Sequence, residues 1–220
     1  MNDPDEFGRR AYDFAVEARE TTTMTALVAA LHVQIAPLGM DAAASGYVSG
    51  PRIASGNPFH FANWSVEWLV YYTAHDLMLI DPCVRWARNS GRATRWSGLF
   101  RTLPPDDPGH KAIAAAARHG YTEGMIVPTR STDNFLGLVC FGGKRAALNR
   151  DEETFLTILA RAAFDAAERI ERADGGGGRL APVLTQREIE CLALLVRGYS
   201  EKQIAEILGL SLPTVRYHFS

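Results

Sequence analysis

The strongest order in this chain is the spacing of its apolar side chains. Residues 6–19 and 25–36 repeat them at helical intervals, and Ala26, Leu27, Ala30, Leu31 and Ile35 form one stripe in the second segment. Pro37-Leu38-Gly39 closes that helix. Tyr47-Val48 and Arg52-Ile53, on either side of Ser49-Gly50-Pro51, suggest a short hairpin. Residues 66–74 predict a short aromatic helix. Residues 82–89 predict another, with Asp81 as N-cap and Pro82 at the first helical position. Residues 106–119 form an alanine-rich helical pattern that Gly120 ends. Residues 123–129 and 135–141 are apolar strands joined by a polar turn. Residues 151–172 predict a long helix with Phe155, Ile158, Leu159, Ala162, Ala166 and Ile170 on one face. Helices before and after a short sheet give an α+β class, arranged as an α-β-α sandwich.

The pattern breaks once. Asp174-Gly175-Gly176-Gly177-Gly178-Arg179 suits neither helix nor strand. The expected division is a first domain over 1–174, a Gly-rich linker over 175–182 and a second domain over 183–220. The second domain opens on the capping box Thr185-x-x-Glu188, and its first helix stops at Gly198. Ser200-x-x-Gln203 is a second capping box, and its helix carries Ile204, Ile207 and Leu208 and stops at Gly209. Ser211 then caps a third helix with Pro213 in its first turn. Short capped helices separated by a glycine turn are helix-turn-helix grammar, with Val215 and Phe219 expected to pack under Ile204 and Leu208.

Composition adds exclusions. The 220 residues are 47% hydrophobic and 22% charged, ordinary for a globular chain. A net charge of −2 supplies no global basic field, so any nucleic-acid contact must come from a local element. Cys83, Cys140 and Cys191 are far apart with no CxxC pair, which argues against a disulfide framework or zinc knuckle. No leader pattern and no long apolar run appears, so the expected place of action is the cytoplasm.

No catalytic constellation is visible. The histidines make no H-E-x-x-H pair, and there is no nucleophile elbow, Walker loop or dinucleotide fingerprint. His75-Asp76 lacks a nucleophile at a usable spacing and fits a surface turn better. The expectation is therefore a protein without catalytic residues, metal or cofactor. What stands out is the density of Trp64, Trp68, Tyr71, Tyr72, Trp86 and Trp96 around Asp81. Trp68 and Tyr72 are four apart and share a helix face, and their apolar bodies with polar tips suit a pocket for an amphiphilic small molecule. A Trp-rich core with Asp81 serving only as a helix cap fits these residues equally well.

Trp68-x3-Tyr72-x8-Asp81-Pro82, Trp96-Ser97-Gly98 and Gly120-Tyr121-Thr122-Glu123-Gly124 together resemble the autoinducer-binding domain of LuxR-type quorum-sensing regulators. Leu184-Thr185-x-Arg187-Glu188, Ile204-Ala205, Leu208-Gly209 and Thr214-Val215-Arg216-x-His218 resemble the helix-turn-helix of the same family. The resemblance implies an N-acyl-homoserine lactone as ligand. It implies that Trp68 donates to the lactone carbonyl, Tyr72 bonds the amide carbonyl and Asp81 accepts the amide N–H. Trp96 packs on the lactone ring, Gly124 permits close backbone approach, and Trp64 lies near the pocket. Lys202, Thr214, Arg216, Tyr217 and Ser220 are the expected contacts to double-stranded operator DNA. The resemblance also implies a homodimer, with residues 151–172 contributing.

The family's DNA-binding domain continues into a fourth helix, whereas this sequence ends at Ser220 inside the third. From 184 to 220, Arg187, Arg197, Lys202 and Arg216 are balanced by Glu188, Glu190, Glu201 and Glu206. Both features lead to an expectation of weak DNA binding. They also open the alternative of a truncated sensor that sequesters full-length homologues in heterodimers.

Overall fold

The computed structural model describes residues 4–54, 58–144, 148–173, 191, 194–195 and 199–217. The expected linker and the Thr185 capping box lie outside them. Along the chain run α1 (Pro4–Glu20), α2 (Met24–Ile35), β1 (Met40–Tyr47), α3 (Pro51–Ala54), β2 (Phe59–Ala62), α4 (Val66–Ala74) and α5 (Pro82–Asn89). Then come β3 (Thr94–Arg95), α6 (Trp96–Phe100), α7 (Gly109–Arg118), β4 (Glu123–Arg130), β5 (Leu136–Gly143) and α8 (Arg150–Ala173). α9 (Glu201–Leu208) and α10 (Leu212–Tyr217) follow. The strands form one antiparallel sheet in the order β2-β1-β5-β4-β3.

The sheet separates two cores, as a sandwich requires. On one face α1, α2 and α8 bury Phe14, Leu27, Leu31, Phe155, Leu159 and Phe164 against Met125, Val139 and Phe141. On the other, α4 to α7 cover Ala42, Ala44, Ile126, Leu138 and Cys140 with an aromatic-rich layer. Alternation along β5 sends Leu138 and Cys140 to one core and Val139 and Phe141 to the other. Pro128 sits within β4 because β3 pairs only with Met125 and Ile126, so its missing N–H faces an edge without a partner strand.

Four expectations need correction. The hairpin at Tyr47-Val48 and Arg52-Ile53 does not form. Tyr47 ends the eight-residue β1, and Pro51 to Ala54 form a helical turn. β1 pairs instead with β2 and β5. Its sequence, MDAAASGY, lacks the branched residues that favour strands, and its conformation comes from pairing on both sides. The alanine-rich helix starts at Gly109 rather than 106, because Asp107 accepts the Gly109 amide from outside, at 2.7 Å, just after Pro104 and Pro105. Ile158 leaves the apolar face of α8 and is 42% exposed, while Leu156, Ala160 and Ala163 take the buried positions. α8 begins one residue early, because Asn149 caps it: its side chain accepts the Glu152 amide, and Glu152 accepts the Asn149 amide at 2.8 Å.

A polar cluster is buried between α8 and the β1–β2 edge. A bulge between Ser45 and Gly46 leaves His60 as the extra residue on β2, where it packs edge-on to Phe164. His60 Nδ1 lies 2.9 Å from Glu171 Oε2, Arg52 pairs with the same oxygen, and the Tyr47 hydroxyl donates to Glu168 at 2.7 Å. Burial pushes the Glu171 carboxyl up, but His60 and Arg52 outweigh it and hold it below the usual range. A carboxylate depressed in the folded state stabilises above its unfolded pKa, about 4.3 for Glu, and that stability is lost as pH falls through the folded value. Denaturant titrations should therefore show wild type more stable than Glu171→Gln at neutral pH, with the gap closing below that range. A gap that stays constant down to acid pH would refute the ion-pair account.

Candidate functional site

α4 and α5 bring the aromatic and acidic positions together. Ser65 caps α4 by accepting the Trp68 amide at 3.3 Å, and its own amide donates to the Tyr121 hydroxyl at 2.9 Å. That fixes the start of α4, and the helix turn stacks Tyr72 behind Trp68, ring centroids 5.3 Å apart and edge-on. Asp81 caps α5, its Oδ1 accepting the Cys83 amide at 2.7 Å. Its Oδ2 accepts the Tyr72 hydroxyl at 2.8 Å. Asp81 is thus the helix cap and also the acidic group beside the aromatics. Burial pushes its carboxyl above the usual range, opposed by the hydrogen bonds from Tyr72 and Cys83. Burial, reinforced by the Asp81 charge, pushes the Tyr72 phenol up and keeps it a donor.

These groups line a cavity of about 90 Å³ between the sheet and α4 to α7. Trp64, Trp68, Tyr72, Asp81 and Trp96 all line it. The other lining side chains are mostly apolar, among them Val48, Phe59, Met78, Phe100, Ile113 and Leu138. Gly124 does not line the cavity; it lies under the Trp96 ring and supports it. Trp96 opens α6, whose Ser97 amide is held by the buried Glu123 at 3.1 Å. Its indole Nε1 is buried without a hydrogen-bond partner among the described residues. Trp86, counted with the cluster by density, bonds to the Arg92 carbonyl at 2.7 Å and is not part of the lining. His75 stacks on Tyr71 at 4.0 Å outside the cavity, with its ring nitrogen at the Tyr71 carbonyl.

Sequence reasoning missed Cys83 and Cys140. They are 57 positions apart, yet both line the cavity. No spacing rule links them, because the link is the packing of α5 on β5.

In the second region Ser200 and Gln203 form the expected capping box, and Gly209 ends α9 in the left-handed conformation at φ 63°. Ser211 caps α10 by accepting the Thr214 amide at 3.2 Å. Val215 is buried with Ile204, Ala205 and Cys191. That leaves Lys202, Arg216 and Tyr217 exposed, with Arg216 paired to Glu201 at 2.8 Å. Thr214 is half-buried beside Ser211, and Ser220 lies outside the described residues.

A mostly apolar pocket with one hydrogen-bonded carboxylate and a capped helix-turn-helix thus occur in one chain. Residues 23–167 match the family model described as the autoinducer binding domain, and residues 182–220 the one described as bacterial regulatory proteins, luxR family. The chain belongs to this LuxR-type family, as the resemblance implied. It is 26% identical to the transcriptional activator PhzR of Pseudomonas fluorescens over 215 residues, 96% of this chain and 85% of that protein. It is 29% identical to the transcriptional activator AhyR of Aeromonas hydrophila over 158 residues, 70% of this chain but 61% of AhyR. The fold is similar to SdiA solved with octanoyl-rac-glycerol, at TM-score 0.61 and 22% identity, covering 99% of this chain and 88% of that one. It is also similar to CepR2 of Burkholderia cenocepacia, at TM-score 0.54 and 19% identity, covering 76% of this chain and 94% of that one. With both models matched, the comparisons do not favour the sequestering partner over a regulator. No helix among the described residues is long and apolar enough to cross a membrane.

Tyr72→Phe removes a donor from Asp81 and should destabilise the protein by about 1–3 kcal/mol at neutral pH. Asp81 titrates above the usual carboxylate range in the folded state, and loss of the Tyr72 bond raises it further. The deficit should therefore be present above that range and shrink as pH falls and Asp81 protonates. Urea melts at several pH values would test this, and a pH-independent deficit would point to lost packing instead.

Proposed function

We propose that this chain is a ligand-responsive, DNA-binding transcriptional regulator of quorum sensing that takes an N-acyl-homoserine lactone in the cavity. The carrying observation is Asp81, an anchored acceptor set among Trp64, Trp68 and Trp96 in a mostly apolar cavity. An amphiphile with an amide N–H in its polar head and a fatty tail matches that lining. In this reading Asp81 accepts the amide N–H, Trp68 donates to the lactone carbonyl and Trp96 packs on the ring. Tyr72, whose hydroxyl already donates to Asp81, holds that carboxylate rather than meeting the amide carbonyl. Each tail methylene buried contributes about 0.8 kcal/mol.

The octanoyl-glycerol held by SdiA supports a second ligand class, in which a glycerol hydroxyl replaces the amide as donor to Asp81. For the output, Lys202, Thr214, Arg216, Tyr217 and Ser220 would face operator DNA, and residues 175–182 would link the two domains. A homodimer would match a two-fold operator, and the exposed Ile158 supports α8 as part of its interface. Ligand and operator would meet in the cytoplasm.

Thermal melts with N-butanoyl-, N-octanoyl- and N-dodecanoyl-homoserine lactone and with octanoylglycerol test the ligand. A lactone at a hundredfold excess over Kd should stabilise the fold by about 2.7 kcal/mol. Asp81→Asn should weaken lactone binding by roughly 1.5 kcal/mol or more, about tenfold. Unchanged lactone affinity in that variant would sink the Asp81 assignment, and a response to octanoylglycerol alone would favour the second class.

Arg216→Gln tests the output. It should weaken binding to all DNA sequences about equally and lower the salt slope by about one. A variant that binds DNA as wild type does would remove Arg216 from the interface.

A further inference from the structure

α9 and α10 carry few charges, and two of them are paired with each other. Lys202 and Arg216 are their basic residues, and Glu201 and Glu206 their acidic ones. Glu201 opens α9, where the Ser200 capping box fixes it. The Ser200 amide donates to Gln203 Oε1 at 2.9 Å, and the Gln203 amide donates to Ser200 Oγ at 3.4 Å. The free amides and dipole of a helix start favour an acidic side chain there. Val215 is fully buried with Ile204 and Ala205, which fixes α10 on α9. Its neighbour Arg216 reaches back 15 positions, and its Nε donates to Glu201 Oε2 at 2.8 Å. Both side chains are open to solvent, Arg216 at 65% and Glu201 at 42%. An ion pair so exposed adds little to stability. Its larger effect falls on what Arg216 is free to meet. A phosphate that takes the guanidinium either displaces the carboxylate or rests beside it, where like charges repel.

We propose that Glu201 restrains DNA binding by holding Arg216, so that the helix pair itself limits the strength of its phosphate contact. This rests on the DNA-binding reading above, in which Arg216 meets the DNA backbone. It adds Glu201 as a positioning residue that acts on DNA through Arg216.

The test is a double-mutant cycle on the full 220-residue chain. Fluorescence anisotropy would give Kd for a labelled random-sequence duplex of about 25 base pairs at low salt, because phosphate contacts do not depend on sequence and salt screens exposed charges. Glu201→Gln keeps the size of the side chain and removes its charge. It should tighten binding about threefold to fivefold, and added salt should close the gap to wild type. In the Arg216→Gln background the same substitution should change Kd by less than about 1.5-fold. Unfolding of α9 would weaken binding, so it cannot imitate the expected gain. Equal tightening in both backgrounds would mean that the carboxylate merely repels DNA, and it would overturn the proposal while leaving Arg216 at the interface. Unchanged or weaker binding by Glu201→Gln overturns it as well. An Arg216→Gln variant that binds the duplex as wild type does overturns the reading of Arg216 as a DNA contact, and this proposal with it.

Discussion

A carboxylate enclosed by indoles and aliphatic side chains must find hydrogen-bond donors, and the pocket side of this protein is arranged around how Asp81 finds them. One oxygen takes the Cys83 amide at the start of α5 and the other takes the Tyr72 hydroxyl from α4. Removing either donor leaves a buried acceptor short of a partner. The Tyr72 bond also ties α4 to the start of α5, beside the cavity that both helices line. Trp68 follows from this, because it shares a face with Tyr72. The cavity's polarity is concentrated at that acid and its Tyr72 partner, and the remaining wall is mostly apolar.

The two faces of the sheet answer different demands. The face under α8 buries Phe14, Phe141, Phe155 and Phe164 almost completely. The opposite face carries small residues where the aromatic layer approaches: Ala42, Ala44, Cys140 and Gly142. Small side chains on the strands and large ones on the helices let rings lie flat on the sheet while a hollow remains beside them.

The same sheet carries a connection from the pocket to the end of α8. Val48 and Phe59 line the cavity at either end of the β1–β2 connection. Arg52 within that connection bonds the Phe59 carbonyl at 2.9 Å and pairs with Glu171 in the last turns of α8. His60 joins the same glutamate, and Tyr47 joins Glu168 one turn earlier. The residues at both ends of the β1–β2 connection thus line the cavity, while Arg52 within it is tied to the last turns of α8.

The sequence by itself determined what depends on neighbours three or four positions away. The Asp81-Pro82 start of α5, the span of α4, the capping box at Ser200 and the stop at Gly209 all appear where those signals lie. The reason is that a cap or a helical stripe is satisfied within one turn. The tertiary structure alone decided the rest. β1 is an alanine-rich segment that becomes a strand only between two partners. Ile158 fits the helical stripe and still faces outward, because α1 and α2 determine which side of α8 is covered. Tyr72 bonds to Glu168's counterpart on the pocket side, Asp81, nine positions away, while Tyr47 reaches Glu168 across 121 positions. The close approach of the Trp64 ring to Gly142 belongs to the same kind. Such pairs depend on strand register and on how helices cross the sheet, and no local spacing along the chain encodes either.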